Sequence, residues 1–165
     1  MLHKLASTLD RLGMTDEAQA HCDIPCGIYD TGPALIAAVS VVRLMDIIHE
    51  ASDSRTEGPG KDNVIVRSIL RKEDEAEKVK HEIRIIWGDY FKGDLLVQHP
   101  NIHELTHNIM IKASACKQDV HREDAVALVE LVNEFAEIFW QTKGKDTERK
   151  VVPYAPALEV VYPVL

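Results

Sequence analysis

Residues 122–143 read REDAVALVELVNEFAEIFWQTK. Ala125, Val129, Val132, Ala136 and Phe139 return at helical spacing, so one side of a helix of about six turns is apolar. Moving towards the N-terminus, a second such segment spans about Asn101 to Gln118. Leu105, Ile109 and Lys112 share one side of it, and Ile102, Thr106 and Ala113 adjoin. A third runs from about Lys61 to Tyr90, with Val66, Ile69, Leu70, Val79, Ile83 and Ile86 as its apolar positions. Its middle, Arg71 to Lys80, is dense in mixed charge and reads as a solvated face with i,i+4 pairs. A fourth begins at Pro33, capped by Thr31 or Gly32, and carries Leu35, Val39, Val42 and Met45 to about Glu50. Residues 51–60 are a loop by composition, and Gly93 and Pro100 mark another link. Four helices with short links predict an all-α chain, an antiparallel four-helix bundle over 33–143.

The whole chain agrees with one helical domain. It has 165 residues, 45% of them hydrophobic but only 5% aromatic. The net charge of -8 argues against a nucleic-acid partner. There is no apolar run long enough to span a membrane. Three cysteines, an odd number, imply no disulfide framework.

Ahead of the helices stands His21-Cys22-Asp23-Ile24-Pro25-Cys26-Gly27-Ile28-Tyr29. Two thiols and an imidazole within six residues can wrap one soft transition metal, because thiolate and nitrogen donors favour Cu, Zn, Ni or Fe–S over Mg or Ca. Pro25 fixes a backbone torsion, and Gly27 permits a sharp turn just after the second thiol. The segment reads as a rigid hook.

The run H-C-x-x-P-C-G-x-Y resembles the N-terminal hook of the nickel superoxide dismutases. So do two later patches, Trp87-Gly88-Asp89-Tyr90-Phe91-Lys92 and Ile138-Phe139-Trp140-Gln141-Thr142-Lys143. The resemblance covers roughly 21–143 and implies conversion of superoxide to O₂ and H₂O₂ by Ni(II)/Ni(III) cycling, with one nickel per subunit of a homohexamer. It implies that Cys22 and Cys26 are the thiolate ligands, that Cys22 adds its backbone nitrogen, and that His21 adds its α-amine and, axially, its ring. Thiolates suit this role, since anionic sulfur stabilises the higher oxidation state. Tyr29 is expected to gate access or order water beside the metal. Asp23, Tyr90 and Lys92 are expected to support the hook from outside the ligand set. Family members steady the axial histidine with a carboxylate on the first helix and an arginine on the second. Here an ungapped reading puts Ala37 and Glu75 at those positions.

The ends need separate readings. Residues 1–20 lack the apolar core of a secretory signal, and Leu2, Leu5, Leu9 and Leu12 recur at helical spacing. From the residues alone they are either a short amphipathic helix or a leader removed after Ala18-Gln19-Ala20. The resemblance implies the leader, because the hook's histidine must become the mature N-terminus, and hence a leader peptidase. Without a secretory signal, a reducing cytoplasmic location is expected. Residues 144–165 hold three prolines and two apolar runs, which forbid a helix and predict docking on the bundle or on a neighbouring subunit.

Other chemistries are weaker. His103-Glu104-Leu105-Thr106-His107 fits the H-E-x-x-H pattern of zinc metalloproteases, but nothing downstream extends it, and a surface helix explains it. The hook is alternatively a non-catalytic metal clip or a nickel- or copper-binding site. A structural zinc would want a fourth ligand such as Cys116, which reads instead as a small buried residue. Cys22 and Cys26 can also pair as a disulfide once metal is lost.

Overall fold

The computed structural model describes residues 27–165. The described chain is mostly helical. Gly32–Asp53 is α1, and Pro59–Ile85 is α2, which passes into one π-helical turn, Ile86–Tyr90. A short α3, Asp94–Gln98, occupies the expected link, and Ile102–Gln118 and Arg122–Thr142 form α4 and α5. Two strands follow, β1 at Thr147–Val151 and β2 at Glu159–Pro163.

The start of α1 departs from the expected cap. Thr31 stands at the N-cap but makes no side-chain cap bond. Instead Asp30 Oδ1 accepts the Gly32 N–H at 2.6 Å, and Pro33 removes one orphan donor from the first turn. Thr31 is 1% exposed, and its Oγ1 finds no partner among the described residues.

The long helices pack in a closed circuit. α1 lies against α2 and α5, and α4 lies against the same two. The periodic residues read from the sequence fill the space between them. Leu35, Val39, Val42 and Met45 of α1 are buried, as are Ala125, Val129, Val132, Ala136 and Phe139 of α5. Among the described residues no helix is long and apolar enough to cross a membrane.

α2 corrects its reading in two ways. Val66 and Leu70, expected in the core, are 55% and 61% exposed. Lys72 and Glu75, expected in solvent, are 1% and 7% exposed. Only the C-terminal half of the apolar pattern, Val79, Ile83 and Ile86, faces inward as expected. Lys72 is tolerated inside because it closes the end of another helix. Its ammonium donates to the carbonyls of Cys116, Lys117 (3.0 Å) and Asp119 (2.8 Å), where the last turn of α4 has run out of N–H partners. Burial pulls its pKa below the ordinary lysine value. Glu75 pairs with Arg71 at 2.8 Å.

The tail corrects the all-α reading. α5 ends at Thr142, and Gly144 just beyond it has φ +66°, in the left-handed region. Its N–H donates to Gln141 O at 2.9 Å, and that of Lys145 donates to Trp140 O at 3.1 Å. This reciprocal pattern terminates the helix and turns the chain back. β1 and β2 then pair antiparallel, with Arg149 opposite Val161. The hairpin lies on α5 of its own chain. Val152, Val160 and Val161 are buried, and Asn133, wholly buried on α5, donates to Glu159 O and accepts the Val161 N–H, both at 3.0 Å. Arg149 reaches Glu130 (2.5 Å) and Glu137 (2.7 Å), one face of α5, and these two carboxylates raise its pKa.

Candidate metal centre

His21, Cys22, Asp23 and Cys26 lie outside the described residues, which begin directly after them at Gly27. Gly27 has φ +72°, the left-handed conformation that a turn directly after Cys26 requires. Ile28 is 77% exposed. Tyr29 then turns inward and packs, half-buried, on Tyr90, with ring centroids 5.6 Å apart and planes at 52°.

Tyr90 is the hub of this end. It sits in the π-helical turn, closed by Phe91 N–H on Ile86 O at 3.3 Å. The extra residue of such a turn re-aims the side chains that follow it. The Tyr90 ring meets Phe91 at 5.3 Å and Phe139 at 5.1 Å, both near edge-to-face. Its hydroxyl is 2.6 Å from Thr142 Oγ1, which itself lies 2.6 Å from Phe139 O. A threonine hydroxyl has one proton. Thr142 spends it on the carbonyl, so the Tyr90 O–H is the donor to Thr142. The phenol is thereby held in one orientation, with an acceptor lone pair left over.

Lys143 completes the cluster, with Nζ 4.2 Å from the Tyr90 ring centre and 5.6 Å from that of Phe139. Thus the structure brings Tyr29 and Tyr90 together and adds Thr142, Phe139 and Lys143. Lys92 is solvent-exposed just past the π-helical turn. Lys143 had no role in the sequence reading, although it closes one of the patches that carried the resemblance. Its signal was positional and needed the end of α5 to be placed beside the turn.

The competing sites gain little. His103 and His107 are both exposed on α4, and His103 Nδ1 accepts the Trp87 indole N–H at 3.0 Å. Among the described residues, no group of three or more His, Cys, Asp or Glu could hold a metal ion. Cys116 is fully buried, and burial pushes its thiol up to about 11, so it is an un-ionised thiol at neutral pH. At the positions of the missing support pair, Ala37 is fully buried inside α1's packing face, and Glu75 is the carboxylate paired with Arg71.

Residues 16–143 match the model of one protein family, described as nickel-containing superoxide dismutase. The chain belongs to that family. As a member it is an oxidoreductase acting on superoxide, with nickel as its metal. The nickel superoxide dismutase of Streptomyces coelicolor is 32% identical over 124 residues, covering 75% of this chain and 88% of that protein. That of Streptomyces seoulensis is 30% identical over 127 residues, covering 77% and 91%. Among solved structures, a native nickel superoxide dismutase superposes with a TM-score of 0.66 at 30% identity, covering 75% of this chain and 99% of that one. Another, with the nickel ligation of the oxidised state, gives 0.67 at 30% identity. The family match stops at Lys143, so the β-hairpin lies outside it.

Proposed function

We propose that this chain is the precursor of a nickel superoxide dismutase whose metal is held by His21, Cys22 and Cys26 and which becomes active on cleavage before His21. The class of activity and the metal follow from the family. The ligand assignment rests on the hook sequence and on its root: Gly27 turns and Tyr29 anchors on Tyr90, so the donors are tethered to the aromatic end of the helices. The donor set fits nickel. Two thiolates, an amine, an amide nitrogen and an imidazole are soft and strongly donating. Nickel held by them supplies a one-electron couple that superoxide can both reduce and oxidise.

The chain's own residues have four tasks. Cys22 and Cys26 bind as thiolates, and Cys22 adds its backbone nitrogen. His21 binds through its α-amine, which exists only once the peptide bond after Ala20 is cut, and through its ring. Tyr29, half-buried on Tyr90, narrows the approach and admits only a small anion. Lys143, beside Tyr90, offsets the chain's net charge of -8 locally and favours anion entry. Asp23 and Lys92 are the remaining supports. Two superoxide anions and two protons leave as O₂ and H₂O₂.

We read the packed circuit of α1, α2, α4 and α5 as the antiparallel four-helix bundle, with 1–20 the leader, 21–32 the hook, 33–143 the bundle and 144–165 the tail. The resemblance supports a homohexamer, a leader peptidase and a cytoplasmic setting. One experiment tests the core of this reading. The uncut chain and a chain beginning at His21 are each loaded with nickel and assayed. Dismutation only by the second is expected, and full activity in the uncut chain would overturn the requirement for the free amine.

A further inference from the structure

The last turn of α5 sets the direction of one proton. That turn tightens: the Lys143 N–H bonds Trp140 O at 3.0 Å, in place of Phe139 O one residue earlier. The Thr142 hydroxyl, 2.6 Å from Phe139 O, donates to the carbonyl thus passed over. A carbonyl cannot donate, so the single Thr142 proton is committed there. The Thr142 oxygen keeps its lone pairs, and Tyr90 Oη stands 2.6 Å away in a part-buried contact. The phenolic proton of Tyr90 therefore points at α5. Turned outward, it would leave two oxygen acceptors facing each other with no proton between them. The ring itself is held edge-on by Phe91 at 5.3 Å and Phe139 at 5.1 Å. What stays free in Tyr90 is the torsion of its O–H, and Thr142 takes it.

We propose that Thr142 is a positioning residue for the dismutation: by fixing the Tyr90 proton inward, it makes the phenol offer only acceptor lone pairs to whatever approaches. Superoxide carries no proton and can only accept hydrogen bonds. An acceptor-only phenol therefore gives the anion no bond, and the anion is not held at the rings. Water and H₂O₂ carry O–H groups and can donate to Tyr90. Attraction of the anion is left to the Lys143 ammonium, 4.2 Å from the Tyr90 ring centre. That attraction is a field and needs no fixed hydrogen-bond geometry, so it draws the anion in without seating it on the phenol.

This deepens the proposed function and rests on it for the substrate and for the place of Tyr90 beside the hook. The hydroxyl is the active part of Thr142. Serine keeps it and should keep the Tyr90 proton inward. Valine keeps the shape of threonine but neither accepts nor donates. In Thr142→Val the Tyr90 O–H is released to turn outward, where it becomes a donor to anions next to the Lys143 charge.

The test uses the full chain without metal, so it depends neither on cleavage nor on the ligand set. Tyrosine is isotope-labelled at Cζ, and the Tyr90 NMR signal is assigned by its loss in Tyr90→Phe. Sodium azide, a small acceptor-only anion, is then titrated in at constant ionic strength. In Thr142→Val the Tyr90 signal is expected to reach half its shift at about one fifth of the azide concentration that the parent requires. Thr142→Ser should follow the parent. Thr142→Ala should repeat the valine result and guards against a valine that disturbs the turn. A merely structural Thr142 would lower the melting temperature in these variants and leave the azide response alone. An azide response unchanged in both valine and alanine variants, or a serine variant that behaves like valine, would overturn the proposal. In the nickel-loaded chain beginning at His21, azide should inhibit Thr142→Val about fivefold more strongly than the parent, and equal inhibition would sever the Tyr90 proton from the reaction. A parent chain that does not dismute superoxide would sink the proposed function instead, while the metal-free titration still decides which way the Tyr90 proton points.

Discussion

The two ends of the helical body are built from opposite materials. At the hook end, Tyr29, Tyr90, Phe91, Phe139 and Trp140 interlock with neighbouring ring centroids 5.1–5.6 Å apart. At the other end, charges hold the chain. Arg122 meets Asp46 at 2.6 Å, Lys112 meets Asp124 at 2.7 Å, and the buried Lys72 closes α4. Rings pack tightly without carrying a net charge, so they can stand beside a redox metal without adding a fixed charge of their own. Among the described residues, Lys143 is the cation that stands over these rings. The far end has no such constraint and uses ionic contacts to finish its helices. On the proposed reading, function is confined to the aromatic end, and the ionic contacts that finish the helices lie at the other.

Substitutions can break or sharpen that division. The largest effect is expected from Cys26→Ser at the hook. Bound nickel and dismutation should both fall to background while circular dichroism and the melting temperature of the apo chain stay put. Lys72→Met, at the far end, should do the reverse. It leaves the Cys116, Lys117 and Asp119 carbonyls at the end of α4 without this donor and should cost about 2–3 kcal/mol, lowering the melting temperature by about 5–10 °C. Activity per bound nickel should be unchanged. If Lys72→Met altered the turnover per nickel, the division would fail.

Tyr90→Phe is a smaller test on the hook end. It removes the 2.6 Å bond to Thr142 and should cost about 1 kcal/mol of stability. A change in turnover at fixed nickel content should accompany it, because Tyr29 rests on that ring. The smallest effect concerns Cys116 and is seen only in alkali. Its thiol ionises near 9.0 when exposed and at about 11 when buried. Between those values the unfolded chain has lost a proton that the folded chain keeps. The resulting stability is complete below pH 9 and declines as pH rises towards 11, by about 1 kcal/mol at pH 10. Chemical denaturation at pH 8 and pH 10 should show a shallower decline for Cys116→Ala than for the parent.

Much of this was legible beforehand, and particular residues show where legibility stopped. The apolar positions of α1 and α5 were read correctly because a helix buried on one face repeats its contacts every three to four residues. α2 was misread because Val66 and Leu70 are apolar yet stand on the side of the helix opposite Val79, Ile83 and Ile86, while Lys72 and Glu75 are charged yet keep the phase of those buried residues. Period reports a stripe and not what lies against it. The tail was known to be non-helical from its prolines, but its hairpin depends on Asn133, a polar residue in an apolar stripe of α5 that makes sense only once β2 lies over it. The hook motif was legible because nine residues carry the candidate donors in one short run. Lys143 was not, since it lies more than a hundred residues from the hook.

By itself, then, the sequence marked the candidate donors, the family and the helical periods, because these are local: a thiol belongs to its own residue wherever it stands, and a stripe is set by 3.6 residues per turn. Tertiary structure alone decided the burial of Lys72 against the end of α4, the seat of the hairpin on α5 and the meeting of Tyr29, Tyr90 and Lys143. Each of those depends on which distant group satisfies a hydrogen bond or a charge, and no local pattern carries that information.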